Sequence, residues 1–417
     1  MSGAIKTTGG ATSTSRETLA TMNFAAPPVV KTIQQRAFGI GVFFAIFAGI
    51  GAFLQPQQFF RAYLLGYVDW LGVSLGSMAL LMITYMTDGV WGKVAGRQLG
   101  AAMRCIPLMT ILFLPILFGL PWLYIWARPL DGITDKKYLA HLQSITQSYL
   151  NPHGFILRAI TYFAIWNIIS FFLSKWSAEF DHPPLRNGAA RFKKLSAPGL
   201  VLYAFTMGFA SIDWLMSMDP SWISTMYGLI ILIGQLLSAM AMVVVIEAIL
   251  AKYRPMTEML KPSYVHDHGK WMLAFIMVHA YFSFSQWLII WAGNLPDEIT
   301  WYMRRIHGGW GYVGVFLALF HFAVPFVILL SRSFKRNIQK MVWVALWLLF
   351  MCFVDLFWII EPNFSTTFTV TWLDIVVPAA IGGLWLGTFA YNLGSRPLLP
   401  AYEIHSEEIL EPAHGGH

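Results

Sequence analysis

The chain has 417 residues, 57% hydrophobic and 12% charged, and a mean hydropathy of +0.58. Soluble domains carry about 25% charged residues, so this composition excludes an ordinary water-soluble globule and points to a bilayer as solvent. The net charge of +7 does not imply nucleic acid, because membrane loops gather Lys and Arg for topological reasons.

Residues 1–35 are rich in Ser, Thr, Ala and Gly without an apolar core; they read as a flexible tail and not as a signal peptide. A spanning helix needs about 20 mostly apolar residues. Ten stretches qualify: roughly 36–54, 62–86, 101–127, 154–174, 198–217, 221–250, 268–292, 308–331, 340–360 and 371–391. The third carries Pro107, Pro115 and Pro121, which predict a kinked span. The loops on the side of the two termini hold 21 Lys and Arg and the opposite loops seven. The positive-inside rule therefore puts both termini in the cytoplasm.

Three landmarks recur in order. "LYIWARPL" (123–130) ends the third span and "LIIWAGNLP" (288–296) the seventh; His153-Gly154 opens the fourth and His307-Gly308 the eighth. Asp213 stands six before Asp219-Pro220, and Asp355 six before Glu361-Pro362. The expected fold is all-α, with a first four-helix bundle over 62–217 (spans 2–5) and a second over 218–361 (spans 6–9). Span 1 with its outer loop (36–61) and an outer loop with span 10 (362–391) flank them, and 392–417 is a cytoplasmic tail. Four helices per unit make the repeat parallel.

Ionisable groups inside a membrane are costly and mark ion or proton pathways. Asp219, directly before a proline, reads as the N-cap of the sixth span with Pro220 at N1, and Glu361-Pro362 as its counterpart. Asp213 and Asp355 lie deeper, where no cap is needed; each is either a paired structural carboxylate or a proton-carrying site. His279 and His321 fall at similar depth on adjacent spans. Two such imidazoles can ligate a b-type haem, but a lone pair more often packs helices or relays protons. With Asp88, Glu247 and Asp267 of "YVHDHGK" on the cytoplasmic half, they predict a ladder: Asp88, Glu247, Asp267, His279, His321, Asp213, Asp355. Glu247 pairing with Lys252 or Arg254 is the structural alternative. Asp69 and Asp374 read as ordinary residues near outer helix ends, and the tail "HSEEILEPAHGGH" as a mobile terminus, not a metal site. Cys105 and Cys352 stand alone, with no CxxC or CxxCH, so this chain by itself is expected to hold no metal, iron–sulfur cluster or c-type haem.

The run from "DHPPLRNGAARFKKLSAPGL" through "ASIDWLMSMDPSWISTMYG" (181–228), together with ten spans and a two-bundle repeat, resembles the NrfD/polysulfide-reductase-type membrane subunits. Within that family it is most similar to the smaller, ActF-type subunit of alternative complex III. The resemblance implies a subunit of a bacterial quinol:electron-acceptor oxidoreductase in the cytoplasmic membrane, without a redox centre of its own. It implies partners: a homologous larger membrane subunit, an iron–sulfur subunit and c-type cytochrome subunits bearing the clusters and haem c, and lipids, with quinol or menaquinol as substrate. Proton conduction coupled to quinol oxidation is the expected role, and the matching motif carries over only Asp213 and the Asp219-Pro220 turn. The alternatives are a subunit that binds quinol itself, through Asp213, His153 or His307, and an independent proton-coupled transporter.

Overall fold

The computed structural model describes residues 24–131, 133–184, 187–400 and 402; the first 23 residues of the N-terminal tail and 403–417 of the C-terminal tail lie outside the described residues. The chain is 82% helical, with no strand among the described residues. Ten helices are long and apolar enough to cross a membrane: Pro28–Leu54, Pro56–Thr87, Val90–Phe118, Pro152–Asp181, Ala189–Met218, Tyr227–Leu250, Pro262–Gly293, Trp310–Leu330, Ile338–Asn363 and Leu373–Gly394. They are called spans 1 to 10. An even number of crossings leaves the two chain ends on one side, the terminal side; the other is the far side.

Spans 2 to 5 pack in a ring, 2 on 3 and 5, and 4 on 3 and 5; spans 6 to 9 repeat it, 6 on 7 and 9, and 8 on 7 and 9. The rings meet where span 2 lies on span 6, with span 5 on 6 and span 9 on 2 at its flanks. Span 10 pairs with span 1 and leans on spans 2 and 3. Span 2 is the most enclosed helix, followed by 6 and 10. Helices come this close in lipid only where side chains are small. A Cβ on Gly76 of span 2 would sit 2.0 Å from the Gln235 carbonyl oxygen on span 6, so this crossing admits no larger residue. Gly41 of span 1 and Gly383 of span 10 meet backbone to backbone in the same way.

The prolines break span 3 as expected, into Val90–Met103, Ile106–Leu112 and Leu114–Phe118. A broken helix frees carbonyls that hydrocarbon cannot satisfy. Span 2 supplies the donors: Tyr63 donates to the Leu112 carbonyl at 2.7 Å and Tyr67 to that of Met109 at 2.9 Å.

The expected caps are corrected. Span 6 starts at Tyr227 with Met226, not Asp219, before it. The intervening residues cross the far-side mouth: Asp219 accepts from Ser221 and pairs with Arg304 at 2.8 Å, and Trp222 stacks on Trp301. A buried carboxylate within reach of an arginine gains more from the ion pair than from a helix terminus. Glu361-Pro362 forms a short turn at the end of span 9, while span 10 begins at Leu373. Both motifs are turns and neither caps the next span.

Tyr67→Phe strands the Met109 carbonyl and should cost about 1–3 kcal/mol, read as a lower denaturation midpoint in detergent. Tyr281→Phe, on an exposed ring, should change stability by less than about 0.5 kcal/mol.

Candidate functional site

Spans 7, 8 and 9 each bring one polar side chain to a common point, His279 and His321 buried and Asp355 half-buried. His279, His321 and Asp355 place one nitrogen or oxygen apiece within 4.8 Å of one another. His279 Nε2 lies 3.2 Å from Asp355 Oδ2, an ion-pair distance outside hydrogen-bonding geometry, so this buried nitrogen has no hydrogen-bond partner. The imidazole centroids of His279 and His321 are 4.8 Å apart, which leaves no space for a porphyrin between them. His321 sits in a π-helical turn, Ala318–Ala323. Such a turn adds a residue to the helix and re-aims its side chains. One turn before Asp355, Cys352 Sγ lies 3.8 Å from His321 Nε2.

The group borders a cavity of about 870 Å³ lined by spans 7, 8 and 9, the start of span 6 and the far-side segment 299–306. Its walls are mostly aromatic and aliphatic, with Ser283, Gln286, Tyr302 and Arg305 as polar points. Gln286 is held at both ends: its amide donates to the Tyr302 hydroxyl at 3.2 Å, and its carbonyl accepts from Ser224 at 2.8 Å. Arg305 is fully buried; it donates to the Trp358 and Ile359 carbonyls at the end of span 9 and stacks 3.5 Å over Trp301. Burial pushes its guanidinium down to about 9, which leaves it charged at neutral pH.

The rest of the expected ladder divides. Asp213 is fully buried and held by Arg158, whose Nε donates to both carboxylate oxygens at 2.9 and 3.1 Å, and by the Tyr162 hydroxyl at 2.8 Å. Arg158 is itself fixed by the Tyr149 carbonyl and ring. Asp213 is thus a paired structural carboxylate and, among the described residues, no part of the cavity wall. The repeat aligns it with Asp355, yet the partners differ: Asn167, which bonds Thr110 on span 3, stands where the second bundle has His321.

On the terminal side, Asp88 is exposed and pairs with Lys193 at 2.5 Å, and Asp267 faces outward to Lys270 at 2.9 Å. Neither continues a buried path. Glu247 pairs with neither Lys252 nor Arg254 but with His268, at 2.9 Å and with both side chains fully buried. The other His268 nitrogen faces the Trp91 carbonyl at 3.2 Å. Sequence reasoning chose Asp267 in "YVHDHGK" and missed His268. The signal was available: His268 precedes His279 by eleven residues, three helical turns, so both lie on one face of span 7 about 16 Å apart. Met272, Phe275 and Ile276, all buried, fill that face between them. His153 and His307, proposed with Asp213 as a quinol site, are exposed at the far side, and the three do not converge on the cavity.

Two clusters of imidazole and carboxylate remain: Glu247–His268, fully buried, and His279–His321–Asp355, in which Asp355 is half-buried. A paired imidazole and carboxylate stay neutral as a unit while carrying one proton, which is how a proton can reside in low dielectric without a bare charge.

Removing one partner of a buried ion pair costs about 3–5 kcal/mol. Arg158→Met should therefore destabilise the chain by an amount near the lower bound, since Arg158 is partly exposed, and adding Asp213→Leu should restore most of it. Detergent denaturation of the single and double variants measures both. Compared with protein-family models and with curated proteins, the chain matches none.

Proposed function

We propose that this chain is a membrane subunit, without a redox centre of its own, of a bacterial quinol:electron-acceptor oxidoreductase of the alternative complex III type, and that it conducts protons coupled to quinol oxidation. The observation that carries the proton role is the His279–His321–Asp355 group: two buried imidazoles and one half-buried carboxylate from three spans, with His279 Nε2 at ion-pair distance from the carboxylate and without a hydrogen bond. The placement in an oxidoreductase rests on the resemblance of residues 181–228 to NrfD-type subunits. On this reading both termini are cytoplasmic, the iron–sulfur and cytochrome subunits supply electron transfer, and the larger membrane subunit is a neighbour.

The chemistry follows from charge. One proton on the His279–Asp355 pair gives imidazolium and carboxylate, net neutral; a second gives a buried net positive charge, which low dielectric opposes. His321 beside it supplies the site to which the excess proton moves when the ring nitrogen accepts it. The cavity, with Ser283, Gln286 and Tyr302, gives water and protons access from the far side.

A second reading is favoured by the cavity itself. At about 870 Å³ it lies within the range of small-molecule sites, with apolar walls and few polar groups. A quinol ring seated there would meet His279 and Asp355, rather than Asp213, His153 or His307. Quinone density between spans 7 and 8, within the helices and not at the lipid boundary, would favour it.

The native complex reconstituted in vesicles tests the first reading. Asp355→Asn should lower protons translocated per quinol by about tenfold or more while electron transfer continues. Undiminished translocation in Asp355→Asn would sink the proposal.

A further inference from the structure

Asp69 was expected near an outer helix end, but span 2 starts at Pro56, so Asp69 lies thirteen residues in, roughly 20 Å along a 32-residue helix. Among the described residues it makes no hydrogen bond or ion pair. It shares one face of span 2 with Gly72 and Gly76, the face pressed on Gln235 of span 6. Here a small cavity of about 30 Å³ opens between the bundles. Its polar wall comes from both: Asp69 of the first, and Gln235, Ser238, His321, Cys352 and Asp355 of the second.

A cavity of this size holds one or two water molecules, which need two to four polar partners each. Two of these partners have capacity to spare: the Asp69 carboxylate and the Gln235 amide. Gln235 accepts from Tyr203 at 2.8 Å through its carbonyl oxygen, but its buried amide nitrogen has no partner. Leaving a buried donor unpaired is costly. An unpaired amide, an unpaired carboxylate and the edge of the histidine group around one water-sized space describe a hydration site. His321 and Asp355 also border the large cavity, so they form the wall between the two spaces.

We propose that Asp69 is a proton-carrying group of the relay, joined to His321 and Asp355 by water held between the two bundles. The inference rests on the proton reading above and extends it across the bundle interface. In the transfer, the water accepts a proton from His321 or Asp355 as it yields another to the Asp69 carboxylate. One O–H bond forms on Asp69, one N–H or O–H bond on the donor breaks, and the water is regenerated. The groups that set the charge around Asp69 are Asp355 and Cys352 of span 9 and His321 of span 8; span 6 contributes only the neutral Gln235 and Ser238.

The native complex in vesicles again supplies the test, with proton translocation per quinol and infrared difference spectra of carboxyl groups as readouts. Asp69→Asn should lower translocation by about tenfold or more with electron transfer retained, and Asp69→Glu should restore it. A carboxyl band that appears on protonation should shift in Asp69→Glu. If Asp69→Asn pumps normally while Asp355→Asn does not, the inference fails and the proton reading stands. If both pump normally, both fail. Should Asp69→Asn not assemble, Asp69→Glu decides: a carboxyl band unchanged by that substitution overturns the assignment.

Discussion

The backbone contact between Gly76 on span 2 and the Gln235 carbonyl on span 6 is what the rest of the arrangement depends on. In lipid, apolar side chains gain nothing by leaving one helix for another, so close packing of small residues has to hold helices together. Where spans 2 and 6 touch, the two four-helix rings become one body. The same crossing carries Asp69 to the edge of the second ring. Any side chain at Gly76 would push the rings apart and open the water-sized space that Asp69 shares with Asp355.

Around that contact the protein treats ionisable groups in two ways. Most are neutralised by a near partner: Asp213 by Arg158, Asp181 by Arg97 at 2.5 Å, Asp219 by Arg304, Glu247 by His268. These pairs are weak evidence for stability, because desolvation offsets much of the attraction. They do make the helices register uniquely, since a shift would expose a bare charge to hydrocarbon. The His279–His321–Asp355 group is different. It has more nitrogen donors and acceptors than partners, and two cavities rather than packed side chains beside it. Under-satisfied polar groups beside open space are where protons, water or a headgroup can exchange.

The spans were legible because the bilayer demands about 20 apolar residues and nothing subtler. The broken third span was legible because proline removes a donor wherever it stands. His279 and His321 were legible as costly residues at similar depth, and Asp355 as a costly residue nearer the far side; the three converge. Partner choice was not legible. Asp213 and Asp355 have the same place in the repeat, yet one meets an arginine and the other two histidines, which depends on what spans 4, 7 and 8 present at that level. Asp219 looked like a cap because Asp-Pro is a local signal; Arg304, 85 residues away, overrode it. His268 was hidden by a more conspicuous neighbour, Asp267, whose side turns to solvent. Asp69 was misplaced because the apolar run begins later than the helix that carries it.

On the proposed proton reading, the two polar groups on span 7 set a physical limit on conduction. His268 and His279 share a face, but the roughly 16 Å between them is filled by Met272, Phe275 and Ile276. Protons do not cross packed hydrocarbon without water or ionisable groups to carry them. In this conformation the Glu247–His268 pair and the His279–His321–Asp355 group are therefore separate compartments, one toward the terminal side and one open to the far-side cavity. A continuous water wire would short-circuit a membrane gradient; on the proposed proton reading, transfer between the two groups requires that this apolar stretch be hydrated. The π-turn Ala318–Ala323, which carries His321, interrupts the α-helix of span 8. The extra residue of such a turn re-aims the side chains around it, and here the turn presents His321 to His279 and Cys352.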